Sequence, residues 1–78
     1  MIKAKIRYTD CYGDTMKVNR ILALHKVDVI KTSEEILGIG IVADILVKND
    51  EKLNELMIDL NTKTSYGVRV KKRTNLSE

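Results

Sequence analysis

The chain has few or no proline, aromatic, cysteine and histidine residues. Its 78 residues include no proline, no tryptophan and no phenylalanine, and only three are tyrosines. The single cysteine, Cys11, excludes an intramolecular disulfide framework and predicts a reducing, cytoplasmic setting. The single histidine, His25, has no second ligand at a metal-binding spacing. We therefore expect a protein that is not an enzyme and that holds no metal or cofactor.

Long apolar runs are also absent. The longest apolar stretch, Ile36–Val47, is interrupted by Gly38, Gly40 and Asp44. It is shorter than the roughly 20 apolar residues that a membrane-spanning helix needs. The N-terminus carries neither a long apolar segment nor a small-residue cleavage site. The sequence predicts no membrane partner.

Length and composition set the size of the fold. A chain of 78 residues, 44% hydrophobic and 32% charged, fits one small domain. We expect this domain to span residues 1–73, followed by a frayed tail at 74–78. A core of this size is marginally stable, so burial of further apolar area in a homodimer is expected.

Periodicity predicts six elements. Two helices have apolar stripes. The first follows the turn-rich residues 10–15 and runs to about His25, and the second begins at Asn49 or Asp50 as cap and ends near Lys63. A short strand is predicted at Val27–Lys31, followed by a polar turn at residues 32–35. Two further strands, one at each end of the chain, alternate apolar with basic residues: Ile2–Tyr8 and Val68–Arg73.

The segment Ile36–Val47 is open to two interpretations. Thr32 with Glu35 resembles a capping box that would begin a helix. Two glycines favour a strand, because each costs a helix about 1 kcal/mol. So do the β-branched residues Ile39, Ile41, Val42, Ile45 and Val47. With a strand here, the order β-α-β-β-α-β predicts an α+β fold of the ferredoxin-like βαββαβ type. Such a fold has a four-stranded antiparallel sheet, two helices on one face, and the terminal strands side by side.

The two terminal strands predict a basic surface on the face of the sheet away from the helices. A nucleic acid or other polyanion is one expected partner of this surface. The alternatives are a solvated face that prevents aggregation and a protein interface that includes Val42, Asp44 and Leu46. Because exposed aromatic residues are few, binding would be mainly to phosphate, with little sequence preference. The predicted nucleic-acid-binding residues are Lys3, Lys5, Arg7, Arg69, Lys71 and Arg73.

The second half of the chain resembles the ACT domains. The segment Ile45–Met57 is similar to the third strand and second helix of acetohydroxyacid synthase small subunits, and Gly67–Val70 is similar to the closing strand. Similar segments occur in short stand-alone regulators associated with iron-only hydrogenases. The resemblance implies a small module that dimerises and senses a metabolite, with an amino-acid ligand at the dimer interface.

In ACT domains the ligand is contacted by a loop between the first strand and the first helix, which carries an acidic or amide residue and a glycine. The matching ligand-binding positions here are Asp10, Gly13 and Asp14. An alternative is that Asp14 or Thr15 caps the helix while Gly13 supplies a turn. The sequence thus predicts a regulatory, ligand-sensing module. The alternatives are a small nucleic-acid or polyanion binder and a docking subunit of a larger protein.

Overall fold

The computed structural model describes residues 1–35 and 38–76. Four strands form one antiparallel sheet in the order β2-β3-β1-β4, so the two terminal strands are neighbours. The predicted ferredoxin-like order and pairing are confirmed. The elements are β1 (Ile2–Thr9), α1 (Asp14–Leu24), β2 (Asp28–Glu34), β3 (Gly40–Val47), α2 (Asp50–Lys63) and β4 (Val68–Asn75).

The hydrophobic core lies between both helices and one face of the sheet. Alternate residues of β1 are buried, as the apolar-basic alternation predicts, and β3 is buried in the same phase. The residues between them therefore lie on the opposite face, which no helix covers. The core is formed by Ile2, Ala4, Ile6, Tyr8, Val18, Ile21, Leu22, Ala43, Ile45, Val47, Leu53, Leu56, Leu60 and Val68.

Strand β2 is longer than predicted. The residues predicted as a polar turn, Thr32 to Glu34, pair with Ala43, Val42 and Ile41 of β3, so that prediction was wrong. Backbone pairing with a buried neighbour outweighs the polar composition of these residues. Strand β3 confirms the strand interpretation from Gly40 onwards. Residues 36 and 37 lie outside the described residues.

Helix α2 has the predicted bounds. The Asn49 side chain accepts a hydrogen bond of 2.9 Å from the backbone N–H of Lys52, which caps the helix. Strand β4 continues past the predicted boundary, because Thr74 and Asn75 pair with Lys3 and Ile2. The tail predicted at 74–78 therefore does not begin at Thr74, and residues 77–78 lie outside the described residues. Within residues 1–35 and 38–76, no helix is long and apolar enough to cross a membrane.

Candidate functional site

The loop between β1 and α1 depends on two residues in the left-handed region. Gly13 lies at the N-cap of α1 with φ +75°, and Tyr12 before it has φ +52°. Apart from its two chain neighbours, no described residue lies within 4 Å of the position that a Cβ on Gly13 would occupy, so conformation and not space calls for glycine. No side chain caps the helix, so neither Asp14 nor Thr15 has the predicted capping role, whereas Gly13 does supply the turn.

Asp14 is a buried carboxylate that joins distant parts of the chain. Its side chain is 1% exposed. The backbone N–H of Ser65 donates to both carboxylate oxygens at 3.1 Å, and the N–H of Tyr66 donates to one of them at 3.3 Å. These hydrogen bonds, that of Ser65 foremost, lower the pKa of Asp14 against the opposing effect of burial. Asp14 therefore fixes the α2–β4 connection against the start of α1.

A second contact closes the same region. The rings of Tyr12 and Tyr66 stack with their centroids 5.9 Å apart and an interplanar angle of 23°. The β1–α1 loop and the α2–β4 connection thus hold each other through one hydrogen-bonded carboxylate and one aromatic pair. We infer that this pairing restricts the loop to one conformation.

Asp10 borders a cleft on the other side of the loop. Its backbone N–H donates to the Ile39 carbonyl at 2.7 Å, and its carboxylate accepts a hydrogen bond from the Thr15 hydroxyl. Two adjoining depressions, of about 510 and 220 Å³, lie between the first turns of α1 and the β2–β3 hairpin and share Glu34 and Ile41. The predicted residue Asp10 lines the smaller one, and Thr15 and Asn19 line the larger one.

The structure therefore separates the three predicted ligand-binding residues. Asp10 lines the cleft and Gly13 shapes the turn beside it, whereas the carboxylate of Asp14 is engaged by Ser65 and Tyr66. Sequence reasoning missed Asn19 and Glu34. Asn19 lies outside the apolar stripe of α1, so the sequence does indicate that its side chain is exposed. No sequence signal places Glu34 beside it, because only the sheet topology brings β2 to the same cleft.

The face of the sheet away from the helices, called here the open face, carries most of the predicted basic surface. Lys3, Lys5 and Arg7 alternate with the core residues of β1. On β4, Arg69 lies opposite Arg7, and Lys71 borders the same groove as Arg7.

Arg73 lies on the opposite side, so its predicted place on the open face was wrong. A β-bulge in β4 inserts one extra residue opposite the Lys5–Ile6 step. The bulge reverses the alternation, so Lys72 pairs with Lys5 and Arg73 pairs with the buried Ala4. On the helix side, the Arg73 guanidinium donates hydrogen bonds to both oxygens of Asp50. These hydrogen bonds raise the pKa of Arg73 and lower the pKa of Asp50.

Acidic residues on the open face are few. Glu35 forms an ion pair with Arg7, and the pKa of Glu35 is lowered mainly by that hydrogen bond. Asp44 lies opposite Lys5 and Lys31, yet one of its oxygens is buried and has no hydrogen-bond partner among the described residues. No ion pair within residues 1–35 and 38–76 includes Lys3, Lys5 or Lys72.

His25 has a structural environment. Its Nε2 lies 2.9 Å from an oxygen of Asp59, whose other oxygen lies 2.8 Å from the Lys63 ammonium. Hydrogen bonds from Lys63 and His25 lower the pKa of Asp59. His25 thereby joins the end of α1 to α2. In the described part of the chain, no group of three or more His, Cys, Asp or Glu side chains could hold a metal ion.

Comparison with known proteins identifies the fold. No protein-family model and no curated protein matches the sequence. Among solved structures, the chain is similar to the ACT domain from the GTP pyrophosphokinase of Chlorobium tepidum, with 22% sequence identity and a TM-score of 0.63. The alignment covers 87% of this chain and 95% of that domain. The resemblance to ACT domains is thus confirmed at the level of the fold, while the likeness to acetohydroxyacid synthase small subunits stays a prediction.

Proposed function

We propose that this protein is a regulatory, ligand-sensing module of the ACT type, without catalytic activity, that acts as a homodimer in the cytoplasm and binds a small amino acid. The observation that carries the proposal is the ACT-like fold combined with a cleft beside the β1–α1 loop that both charged and apolar residues line. This is the same loop that contacts an amino-acid ligand in the family the sequence resembles.

The chemistry of the cleft suits a zwitterion. The backbone N–H groups of Thr15 and Met16 lie in the first turn of α1, where a helix has no internal acceptors and favours an anion such as a carboxylate. Asp10, beside the first turn of α1, and Glu34, on β2, both line the smaller depression, and their carboxylates would bind the ammonium group. In this proposal Gly13 holds the turn and Asp14 is a positioning residue.

Strand β2 supports the proposed dimer. It is the sheet edge nearest the cleft, and its seven residues are exposed. Val29 and Ile30 are 45% and 52% exposed. An exposed edge strand with apolar side chains is a template for pairing with another strand. Pairing of β2 with β2 of a second copy would place the cleft at the dimer interface.

Thermal unfolding with each of the common amino acids tests the ligand. We expect one or a few to raise the melting temperature by about 5 °C or more at a concentration about tenfold above Kd. Asp10→Asn should abolish this gain, because it removes the charge that faces the ammonium while keeping an acceptor for Thr15. Glu55→Gln, exposed on α2 and away from both the cleft and the β2 edge, is the control and should keep the gain. If no amino acid shifts the transition, the protein is not an amino-acid sensor.

Sedimentation velocity tests the dimer separately. We expect the wild-type chain to sediment as a dimer and Ile30→Asp to sediment as a monomer, because a buried charge at the edge opposes strand pairing. Ile58→Asp, on an exposed position of α2, is the control and should remain dimeric. Dissociation by Ile58→Asp alone would place the interface on the helices and contradict the edge pairing.

A further inference from the structure

We propose that the open face of the sheet is a binding site for the phosphate backbone of double-stranded nucleic acid. The proposal does not depend on the ligand-sensing function, because the cleft lies on the helix side of the sheet. It also does not depend on the dimer, because strand pairing through the β2 edge leaves the sheet face exposed.

Charge segregation is the first argument. The strand registers place seven lysines and arginines on the open face against three carboxylates, those of Asp28, Glu35 and Asp44. Seven minus three leaves a charge of +4 on this face, whereas the whole chain has a net charge of +3. The rest of the molecule is therefore close to neutral, and the positive electrostatic potential of the protein is concentrated on the open face. The seven are Lys3, Lys5, Arg7, Lys31, Arg69, Lys71 and Lys72.

The arrangement of the cations is the second argument. Residues on one face of a strand repeat at about 6.7 Å, so Lys3, Lys5 and Arg7 form a row along β1. The basic residues of β4 form a second row about 4.8 Å away, because the strands are neighbours. The bulge in β4 presents Lys71 and Lys72 in succession on this face, which increases the charge of the second row. Two parallel rows of this kind suit a linear polyanion.

The state of the ammonium groups is the third argument. A small depression of about 90 Å³ is lined by Lys3, Lys5, Lys72, Thr74 and Asp44. These three lysines form no ion pair among the described residues, so they are available to phosphate. Among the described residues, Glu35 is the only carboxylate of the open face that forms an ion pair. Its partner is Arg7, at one end of the β1 row.

The aromatic residues decide between duplex and single strand. Single-strand binders stack bases on exposed rings. Here Tyr8 is buried in the core. Tyr12 and Tyr66 are exposed, but they stack on each other at the β1–α1 loop, outside the strands that form the open face. The apolar residues of the open face, Val42 and Leu46, are half-buried and do not form a protruding wedge for a lipid bilayer. The face therefore favours a duplex held through its phosphates, without sequence preference.

Fluorescence anisotropy with a labelled mixed-sequence DNA duplex of about 20 base pairs tests the proposal. For about four phosphate contacts, log Kd against log salt should have a slope near 3.6, so affinity should fall about 100-fold between about 50 and 200 mM salt. Binding in the micromolar range at the lower salt is expected. Absence of binding at low salt, or binding that does not depend on salt, would overturn the proposal.

Charge variants locate the site. Lys5→Gln with Lys72→Gln should weaken binding at least about tenfold and lower the salt slope by about 2. The control, Arg20→Gln with Lys26→Gln on the helix side, removes the same charge and should change affinity less than about twofold. Equal losses in both double variants would mean that net charge alone attracts the duplex, and would overturn the site.

A gain of affinity provides an independent check. Glu35→Gln frees Arg7 and removes one negative charge from the open face, so we expect about threefold tighter duplex binding. Glu51→Gln, exposed on α2, is the matched control and should have little effect. Vesicles of phosphatidylserine and phosphatidylcholine in equal amounts serve as competitor. If they displace the duplex at a lower phosphate concentration than unlabelled duplex does, the open face is a membrane-binding surface and the proposal fails.

Discussion

Leu56→Ala is expected to lower the free energy of unfolding by about 2–5 kcal/mol, the range found for buried leucines that leave a cavity. Leu56 is 0% exposed and lies between Leu53 and Leu60 on the stripe that joins α2 to the sheet. Domains of this size are stable by roughly 0.05–0.15 kcal/mol per residue, so this loss is a large fraction of the total. Urea denaturation followed by far-UV circular dichroism measures it.

Ile58→Ala is the control for this prediction. Ile58 lies on the same helix but is 69% exposed, so its truncation removes a side chain of similar size without leaving a cavity. We expect a change within about 0.5 kcal/mol, as is usual for surface positions. Comparable losses of unfolding free energy in Leu56→Ala and Ile58→Ala would contradict the orientation of α2, because only the side of the helix that packs on the sheet should contribute to stability.

The elements that sequence predicted well have a strong local period. Helix α2 has an apolar stripe and an asparagine cap, and both are properties of residues near one another in the chain. The same holds for β1, where every second residue from Ile2 to Tyr8 is buried. Once these periods are fixed, the short connections leave few topologies, which is why the strand order was predictable.

The wrong predictions depend on contacts between distant residues. Alternation alone places Arg73 with Lys71, but the bulge in β4 is visible only in its pairing with β1. In the same way, the polar residues from Thr32 onward become a strand because β3 offers them an edge. A residue's type indicates which secondary structure it favours, but the register of strand pairing determines whether it forms a strand and which face of the sheet it lies on.

The candidate site shows the same limit. The resemblance to ACT domains is the source of the predicted ligand-binding positions Asp10, Gly13 and Asp14, and their binding role stays a prediction. The turn at Gly13 was predictable from the loop sequence, because glycine is typical of such a turn. The hydrogen bonds of Asp14 are made to Ser65 and Tyr66, which are 51 and 52 residues away in the chain. Nothing in the loop itself indicates that this carboxylate faces the α2–β4 connection and not the cleft. Sequence could therefore predict the loop but not the roles of its residues.

Asp14→Asn is expected to lower the melting temperature by about 5–10 °C near neutral pH, the second large effect. The amide has one oxygen where the carboxylate has two, and its NH₂ group would meet a backbone N–H as donor against donor. One carboxylate oxygen accepts from both Ser65 and Tyr66, and the other accepts from Ser65 alone at 3.1 Å. If the amide oxygen takes the shared position, the NH₂ group faces the Ser65 N–H; in the opposite orientation, the Tyr66 N–H loses its acceptor. Differential scanning calorimetry measures the shift. Glu55→Gln, exposed on α2 and outside the proposed dimer edge, should leave the melting temperature within about 2 °C of the wild type.

The pH dependence of the difference in stability between wild type and Asp14→Asn tests whether the charge of the Asp14 carboxylate is its cause. The pKa of Asp14 is lowered in the folded protein, so the unfolded chain takes up the proton first as pH falls. The stabilisation is complete above the unfolded pKa of about 3.9 and is lost as pH falls through the lower folded pKa. Glu35, Asp50 and Asp59 also have lowered pKa values, but they are present in both proteins and cancel in the comparison. The gap between wild type and Asp14→Asn should therefore be constant above about pH 5 and narrow below about pH 4. A gap that stayed constant throughout would mean that shape, and not charge, holds the loop.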